Sequence, residues 1–237
     1  MINSLNENLN LEESEIKFSV PLNLRRGSLK NDQVISIKSA IINLKKIALL
    51  TNLPDWSNLN ILDYGCGVKF TQTLLQFNVK VGTYTGMDVY KEMVEYLAEN
   101  VVETNFTYFR VPFKNEMYNK NGEELSPYSD LPGKISKFDL ITLQSVFTHF
   151  NPKDFLALLK VLNRFASHNC KLFFTCFIDN KMDSNFEDKI ENKPLLQAYY
   201  KESYVRELLI KSNWILLSST PPSDRMQHQF VCVPQNT

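Results

Sequence analysis

The chain has 237 residues, with 26 Lys and Arg balanced by 26 Asp and Glu, and 43% of its residues are hydrophobic. That length suits one large domain or one domain with additions, and the apolar content excludes a disordered chain. A net charge of zero argues against a protein that captures nucleic acid through a general positive field, so no nucleic-acid partner is expected.

The longest apolar run, 172–178 with Thr175 inside it, is far too short to span a bilayer. The first residues carry neither the basic nor the apolar segment of a signal peptide. Cys66, Cys170, Cys176 and Cys232 include no close-spaced pair. Neither a disulfide framework nor a metal site is expected, and a reducing cytoplasm is the default location.

Residues 1–20, rich in Asn and Glu, read as a flexible N-terminal arm. Residues 21–58 read as a helical cap. An irregular lead-in, Pro21-Leu22-Asn23-Leu24-Arg25-Arg26-Gly27-Ser28, precedes a helix in which Val34, Ile37, Ile41, Leu44 and Ala48 recur every three or four positions, with Asp32 as its cap. From residue 59 strands and helices alternate. A strand at 59–64 breaks at Gly65-Cys66-Gly67 into a helix reaching about Phe77. A strand at 83–88 leads to a helix at 90–100 with Met93, Val94 and Leu97 on one face. Strands at 106–111 and 138–143 follow, then a helix at 154–165, a strand at 171–178, a helix at 200–211, and strands at 214–218 and 229–233.

This alternation predicts an α/β, Rossmann-like, doubly wound, mostly parallel seven-stranded sheet with helices on both faces. The short Pro221-Pro222-Ser223-Asp224 link makes the final strand antiparallel. The domain would cover 59–237, with lid-like insertions at 112–137 and 179–196. The first exceeds the ~12–15 residues usual for a structureless connector.

Four of the seven glycines fall between Gly65 and Gly86. In Asp63-Tyr64-Gly65-Cys66-Gly67, the two glycines allow a sharp turn and close approach of a ligand, and the following helix points its free N–H groups toward that ligand. No Gly-Lys-Ser/Thr follows, so this is not a P-loop. Phe70 occupies the third glycine position of the dinucleotide fingerprint. Asp88 ends the neighbouring strand, where a carboxylate can accept hydrogen bonds from both hydroxyls of a ribose. S-adenosylmethionine, a nucleoside without phosphates, satisfies both features.

Ile61-Leu62-Asp63-Tyr64-Gly65-Cys66-Gly67 and Tyr84-Thr85-Gly86-Met87-Asp88 resemble the first two motifs of class I S-adenosylmethionine-dependent methyltransferases. Phe138-Asp139-Leu140-Ile141 with Ser145-Val146-Phe147-Thr148-His149 resembles the fourth-strand motif. Together with Tyr118-Asn119-Lys120-Asn121-Gly122 the pattern is similar to a bacterial small-molecule or glycan-pathway subgroup. The resemblance implies S-adenosylmethionine as cofactor, held by Asp63, Gly65, Cys66, Gly67, Asp88, Val89, Met93 and Gln144, with Tyr64 and Tyr90 flanking it. It also implies methyl transfer to an O or N atom of a small-molecule or carrier-linked acceptor.

His149, beyond the fourth strand, is the candidate base, its alternative being a cap for the next helix. Tyr118, Asn119 and Arg25 are candidate acceptor contacts, with Arg26 as a further cation, against the alternative of solvated surface. Lys69 and Phe70 stand where that subgroup has glycine and arginine. They keep a non-catalytic binding or scaffold subunit of the same fold in view.

Overall fold

The computed structural model describes residues 2, 5, 10–115, 118–133, 136–190, 192–222 and 227–235. Within them, α1 (Gln33–Thr51) starts where Asp32 accepts a hydrogen bond from Ile35 N at 2.8 Å. It stops at Asn52, which takes the left-handed conformation at φ 56°. The alternating region then contributes β1 (Asn60–Tyr64), α2 (Lys69–Gln76), β2 (Thr83–Asp88), α3 (Lys91–Asn100), β3 (Phe106–Arg110) and β4 (Phe138–Leu143). After these come α4 (Pro152–Phe165), β5 (Ala166–Ile178), β6 (Phe186–Asp188), β7 (Ala198–Tyr200), α5 (Glu202–Lys211), β8 (Trp214–Thr220) and β9 (His228–Pro234).

Five strands run parallel in the order β3-β2-β1-β4-β5. β9 is antiparallel to β5, and β8 is antiparallel to β9. These are the seven predicted strands. Side-chain alternation splits their contacts between two cores. Ile61, Leu140, Phe173 and Val231 face a core with α1, α2 and α3. Leu62, Ile141, Leu172 and Cys232 face a core with α4 and α5. The helices therefore cover both faces, as the near-continuous apolar strands require.

Three local expectations are corrected. β5 begins at Ala166 and not at Lys171, so Ser167, His168 and Asn169 belong to the strand. The register against β4 shifts there from Phe138↔Ala166 to Leu140↔Lys171, and Ser167 Oγ ties the bulged segment to Asp139 Oδ1 at 2.9 Å. α5 starts at Glu202 and not at Tyr200, because Tyr200 pairs with Phe186 in the short β6–β7 ribbon. That ribbon adds two strands to the predicted seven, β7 running parallel to the end of β5. Buried Tyr200 fixes it by donating its hydroxyl hydrogen to Phe150 O at 2.5 Å. Of the turn expected at 221–224, Ser223 and Asp224 lie outside the described residues.

Composition suggested a loose arm before residue 21, yet residues 10–20 are stitched to the body. Lys17 N donates to Gln76 Oε1 at 2.8 Å, Gln76 Nε2 to Glu15 O at 3.0 Å, and Tyr96 Oη to Ser19 O at 2.9 Å. Gln33, buried at the start of α1, accepts from Val20 N at 2.9 Å and from Gln72 Nε2 at 2.8 Å. Its own Nε2 donates to Ser19 Oγ at 3.0 Å. One carboxamide thus joins the arm, α1 and α2. Gln33→Ala strands the buried Val20 N–H and should cost about 1–3 kcal/mol. Urea denaturation reads this as a lower midpoint at constant slope, and an unmoved midpoint would show that the amide contributes nothing.

Candidate functional site

The parallel strands end at a cavity of about 770 Å³, a volume within the range of small-molecule sites. It opens where the chain leaves β1 toward β2 on one side while β4 lies on the other, the reversal at which open α/β sheets bind ligands. Gly65 N and Cys66 N both donate to Met87 O, at 2.7 and 3.0 Å, which pins the bend to β2. Gly65 has φ 73°, and a Cβ there would lie 2.4 Å from Val146 Cγ2. Gly67 has φ 49°, and a Cβ there would meet nothing within 4 Å. The first glycine is required by packing, while the second leaves a bare backbone beside open space. The next residue, Val68, gives α2 no side-chain cap, so the first N–H groups of α2 are left for a ligand.

Asp88 accepts from Gly67 N through Oδ2 at 3.1 Å and from Tyr90 N through Oδ1 at 3.0 Å. The Val89 backbone N–H also bonds to the carboxylate, and with three donors placed a lone pair remains for a ligand. Burial raises its pKa, against the opposing backbone hydrogen bonds and the nearby Arg26 charge. Asp63 lies deeper, taking hydrogen bonds from Tyr84 Oη at 2.6 Å and Thr142 Oγ1 at 2.9 Å. Burial dominates there too and pushes its carboxyl up to about 6, with a smaller contribution from Asp88. Burial likewise raises the Cys66 thiol, which stays protonated and serves as packing.

His149 closes a short 3₁₀ turn, Phe147–His149. Phe147 anchors the turn by stacking on Phe155 with 3.6 Å between ring centroids. His149 Nδ1 lies 3.0 Å from Leu195 O. A carbonyl can only accept, so Nδ1 carries the proton and Nε2 is left as the ring's acceptor. Burial lowers its pKa, although the contacts with Leu195 and Leu196 partly oppose this. The cap of α4 is Asn151, whose Oδ1 accepts from Asp154 N at 2.9 Å, so the capping alternative for His149 falls away.

All eight residues expected at the cofactor line this one cavity, as do His149 and Tyr118. Two expected acceptor contacts do not. Asn119 holds the insertion's own loop closed, donating from Nδ2 to Pro112 O and Phe113 O, both at 2.9 Å. Arg25 spends its guanidinium on Val20 O at 2.6 Å and Lys30 O at 3.3 Å. Its neighbour Arg26 lines the cavity instead, stacked 3.9 Å above the Tyr90 ring. Lys69 and Phe70 also line the cavity and leave it open. Burial lowers the Lys69 pKa.

Sequence reasoning missed one wall, the stripe Ser39, Asn43 and Lys46 on α1. Its spacing of four and three puts polar groups on one helix face within an otherwise apolar helix. Ser145, Thr175 and Gln227, from three separated segments, also line the cavity without having been expected there. His168 and His228 do not line it. Among the described residues no group of three His, Cys, Asp or Glu could hold a metal ion, and no helix is long and apolar enough to cross a membrane.

Residues 62–174 match a family model described as a methyltransferase domain. Solved structures show the same fold at low identity. An S-adenosylmethionine-dependent methyltransferase from Leishmania major aligns at 16% identity and TM-score 0.60, over 87% of this chain and 74% of that one. Magnesium protoporphyrin IX methyltransferase from Synechocystis, solved with bound S-adenosylhomocysteine, aligns at 14% and 0.55, over 93% and 92%. An S-adenosylmethionine-dependent methyltransferase from Mesorhizobium loti aligns at 16% and 0.55, over 78% and 95%. The matched stretch runs from β1 to β5 and contains the glycine bend, Asp88 and His149: over it the chain is similar to methyltransferase domains, and it shares the fold of solved S-adenosylmethionine-dependent methyltransferases.

Proposed function

We propose that this protein transfers the methyl group of S-adenosylmethionine to an O or N atom of a small-molecule or carrier- or sugar-linked acceptor, in the cytoplasm and without nucleic acid as substrate. The observation that carries this reading is the joint facing of the Gly65–Gly67 bend and Asp88 onto one open cavity. When bound, the cofactor supplies the electrophilic methyl carbon of an in-line displacement. The bound S-adenosylhomocysteine of the Synechocystis relative supports the cofactor class.

Asp88 would hold the ribose through the acceptor capacity its backbone donors leave free, and Val89, Met93 and Gln144, which line the cavity beside it, would hold the nucleoside. The uncapped start of α2 and the Lys69 ammonium attract the amino-acid carboxylate. His149 Nε2 takes the proton from the acceptor, and Tyr118 with the insertion around it helps exclude water. The cavity left open beside Lys69 and Phe70 favours this reading over a non-catalytic scaffold subunit.

Calorimetry with S-adenosylmethionine should show saturable binding, and Asp88→Ala should weaken it by about 1–3 kcal/mol. Equal affinity of that variant would reject the ribose assignment.

His149→Ala should lower turnover about 10²–10⁴-fold while S-adenosylhomocysteine binds as before. Undiminished turnover on any acceptor found by screening would make His149 a structural residue only.

Asp63 gives the protein a pH signature. Its carboxyl rises from 3.8 to about 6 on folding, so between those values the native state binds more protons than the unfolded state. The stability contribution of protonated Asp63 is present below about pH 4 and lost as pH rises through about 6. Thermal melts of Asp63→Asn should lack this decline. Parallel stability profiles for variant and parent would show that Asp63 does not titrate there.

A further inference from the structure

The β6–β7 ribbon lengthens the sheet, and the loop joining its two strands also reaches the imidazole of His149. β7 is fixed beside the end of β5 by the pairs Phe177↔Tyr199 and Ile178↔Tyr200. Asp188 pairs with Ala198, and Lys189 N donates to Gln197 O at 3.1 Å, so the loop leaves a closed ribbon end. Within the loop two residues take the left-handed conformation, Asn192 at φ 63° and Leu195 at φ 56°. Asparagine adopts it readily, whereas a bulky leucine persists there only where its surroundings hold it. Asp188 does so: its Oδ2 accepts from Leu195 N at 2.7 Å, a charge-assisted bond across the loop. Lys189 beside it is engaged elsewhere, with Glu187 at 2.9 Å and Asp179 at 3.4 Å. The far end of the same residue, Leu195 O, receives the His149 Nδ1 hydrogen at 3.0 Å, and the Leu196 backbone adds a second hydrogen bond to the ring. Leu195 and His149 both line the cavity.

We propose that Asp188 is a positioning residue: by holding Leu195 left-handed it aims the Leu195 carbonyl at His149 Nδ1 and leaves Nε2 as the nitrogen that takes a proton. This rests on the reading of His149 as the base. The ribbon touches the histidine turn at two kinds of place. Tyr200 bonds to Phe150 O, which fixes main chain and leaves the imidazole free to turn about its own side-chain bonds. The loop carbonyls act on the ring itself. Without an acceptor facing Nδ1, a neutral imidazole carries its proton mainly on Nε2, and that tautomer cannot accept there. An exposed carboxylate outside the cavity lining thus decides which nitrogen inside it is basic.

The test reads the tautomer directly. Full-length protein carrying histidine isotope-labelled at both ring nitrogens is studied by nitrogen NMR at mildly alkaline pH, where the ring is neutral. His149→Ala assigns the signals, and the two other histidines, His168 and His228, report that each variant folds. Asp188 is exposed, so its truncation leaves the cores intact. The parent should show His149 protonated on Nδ1. Asp188→Ala should shift the His149 proton toward Nε2 with His168 and His228 unmoved. Asp188→Asn keeps an oxygen that accepts from Leu195 N and should restore the parent pattern. A parent protonated on Nε2, an unmoved pattern in Asp188→Ala, or a failure of Asp188→Asn to restore it overturns the inference. Undiminished turnover in His149→Ala would instead overturn the base reading, a result the nitrogen shifts do not depend on.

Discussion

Everything at the functional end of this molecule depends on one carbonyl, Met87 O, receiving two consecutive N–H groups from Gly65 and Cys66. That pair of bonds forces the chain leaving β1 to fold back over β2, and only a glycine at 65 lets Val146 from the far side of β4 close against it. Three strand ends are thereby fixed relative to each other. With the bend pinned, Gly67 N reaches Asp88, and the carboxylate is oriented by protein donors before any ligand arrives. Such preorganisation lowers the ordering cost of binding.

Segments outside the alternating core are attached to it by polar side chains acting on backbone. Gln33 and Gln76 fasten the N-terminal arm, Asn119 closes the insertion after β3, and Tyr200 secures the ribbon after β5. Backbone in irregular segments must find partners when it is covered, and carboxamides can supply a donor and an acceptor together. This division explains how Leu195, in the second insertion, can set the tautomer of His149, in the 3₁₀ turn after β4. A connector distant in sequence contributes one carbonyl, and that carbonyl decides which imidazole nitrogen is basic.

The strands and the residues that gather at the glycine bend were legible because they follow from local patterns. Period-two and period-3.6 apolar spacing placed the elements, and the glycines around Asp63 and the carboxylate at 88 marked adjacent strand ends. Asn119 and Arg25 do not line the cavity, for one shared reason. A polar side chain in a loop looks the same in sequence whether it faces a ligand or a neighbouring carbonyl, and both turned inward to backbone. Arg26 differs from Arg25 by one position but stacks on Tyr90, a contact 64 residues away along the chain that no local pattern encodes. The same holds for Ser145, Thr175 and Gln227, which acquire a common role only once β4, β5 and β9 lie side by side.

Both signs of charge line the cavity, the insertion after β3 and α4 contributing Lys114, Glu124, Lys153 and Asp154. Arg26, Lys46, Lys69 and Asp88 come from the lead-in segment, α1, the start of α2 and the end of β2, the parts that surround the glycine bend. A zwitterionic, cationic cofactor needs both signs of charge there, and strong charge-assisted bonds hold it in one pose. The ends of β4, β5 and β9 offer hydroxyls, carboxamides and one neutral imidazole. A proton leaving an acceptor oxygen or nitrogen moves most readily to a base that is itself uncharged beforehand, and burial keeps His149 in that state. Placing fixed cations beside that imidazole would hold its pKa low but would also oppose the imidazolium formed as the proton arrives. The hydroxyls and carboxamides at the ends of β4, β5 and β9 avoid that conflict in the proposed reaction.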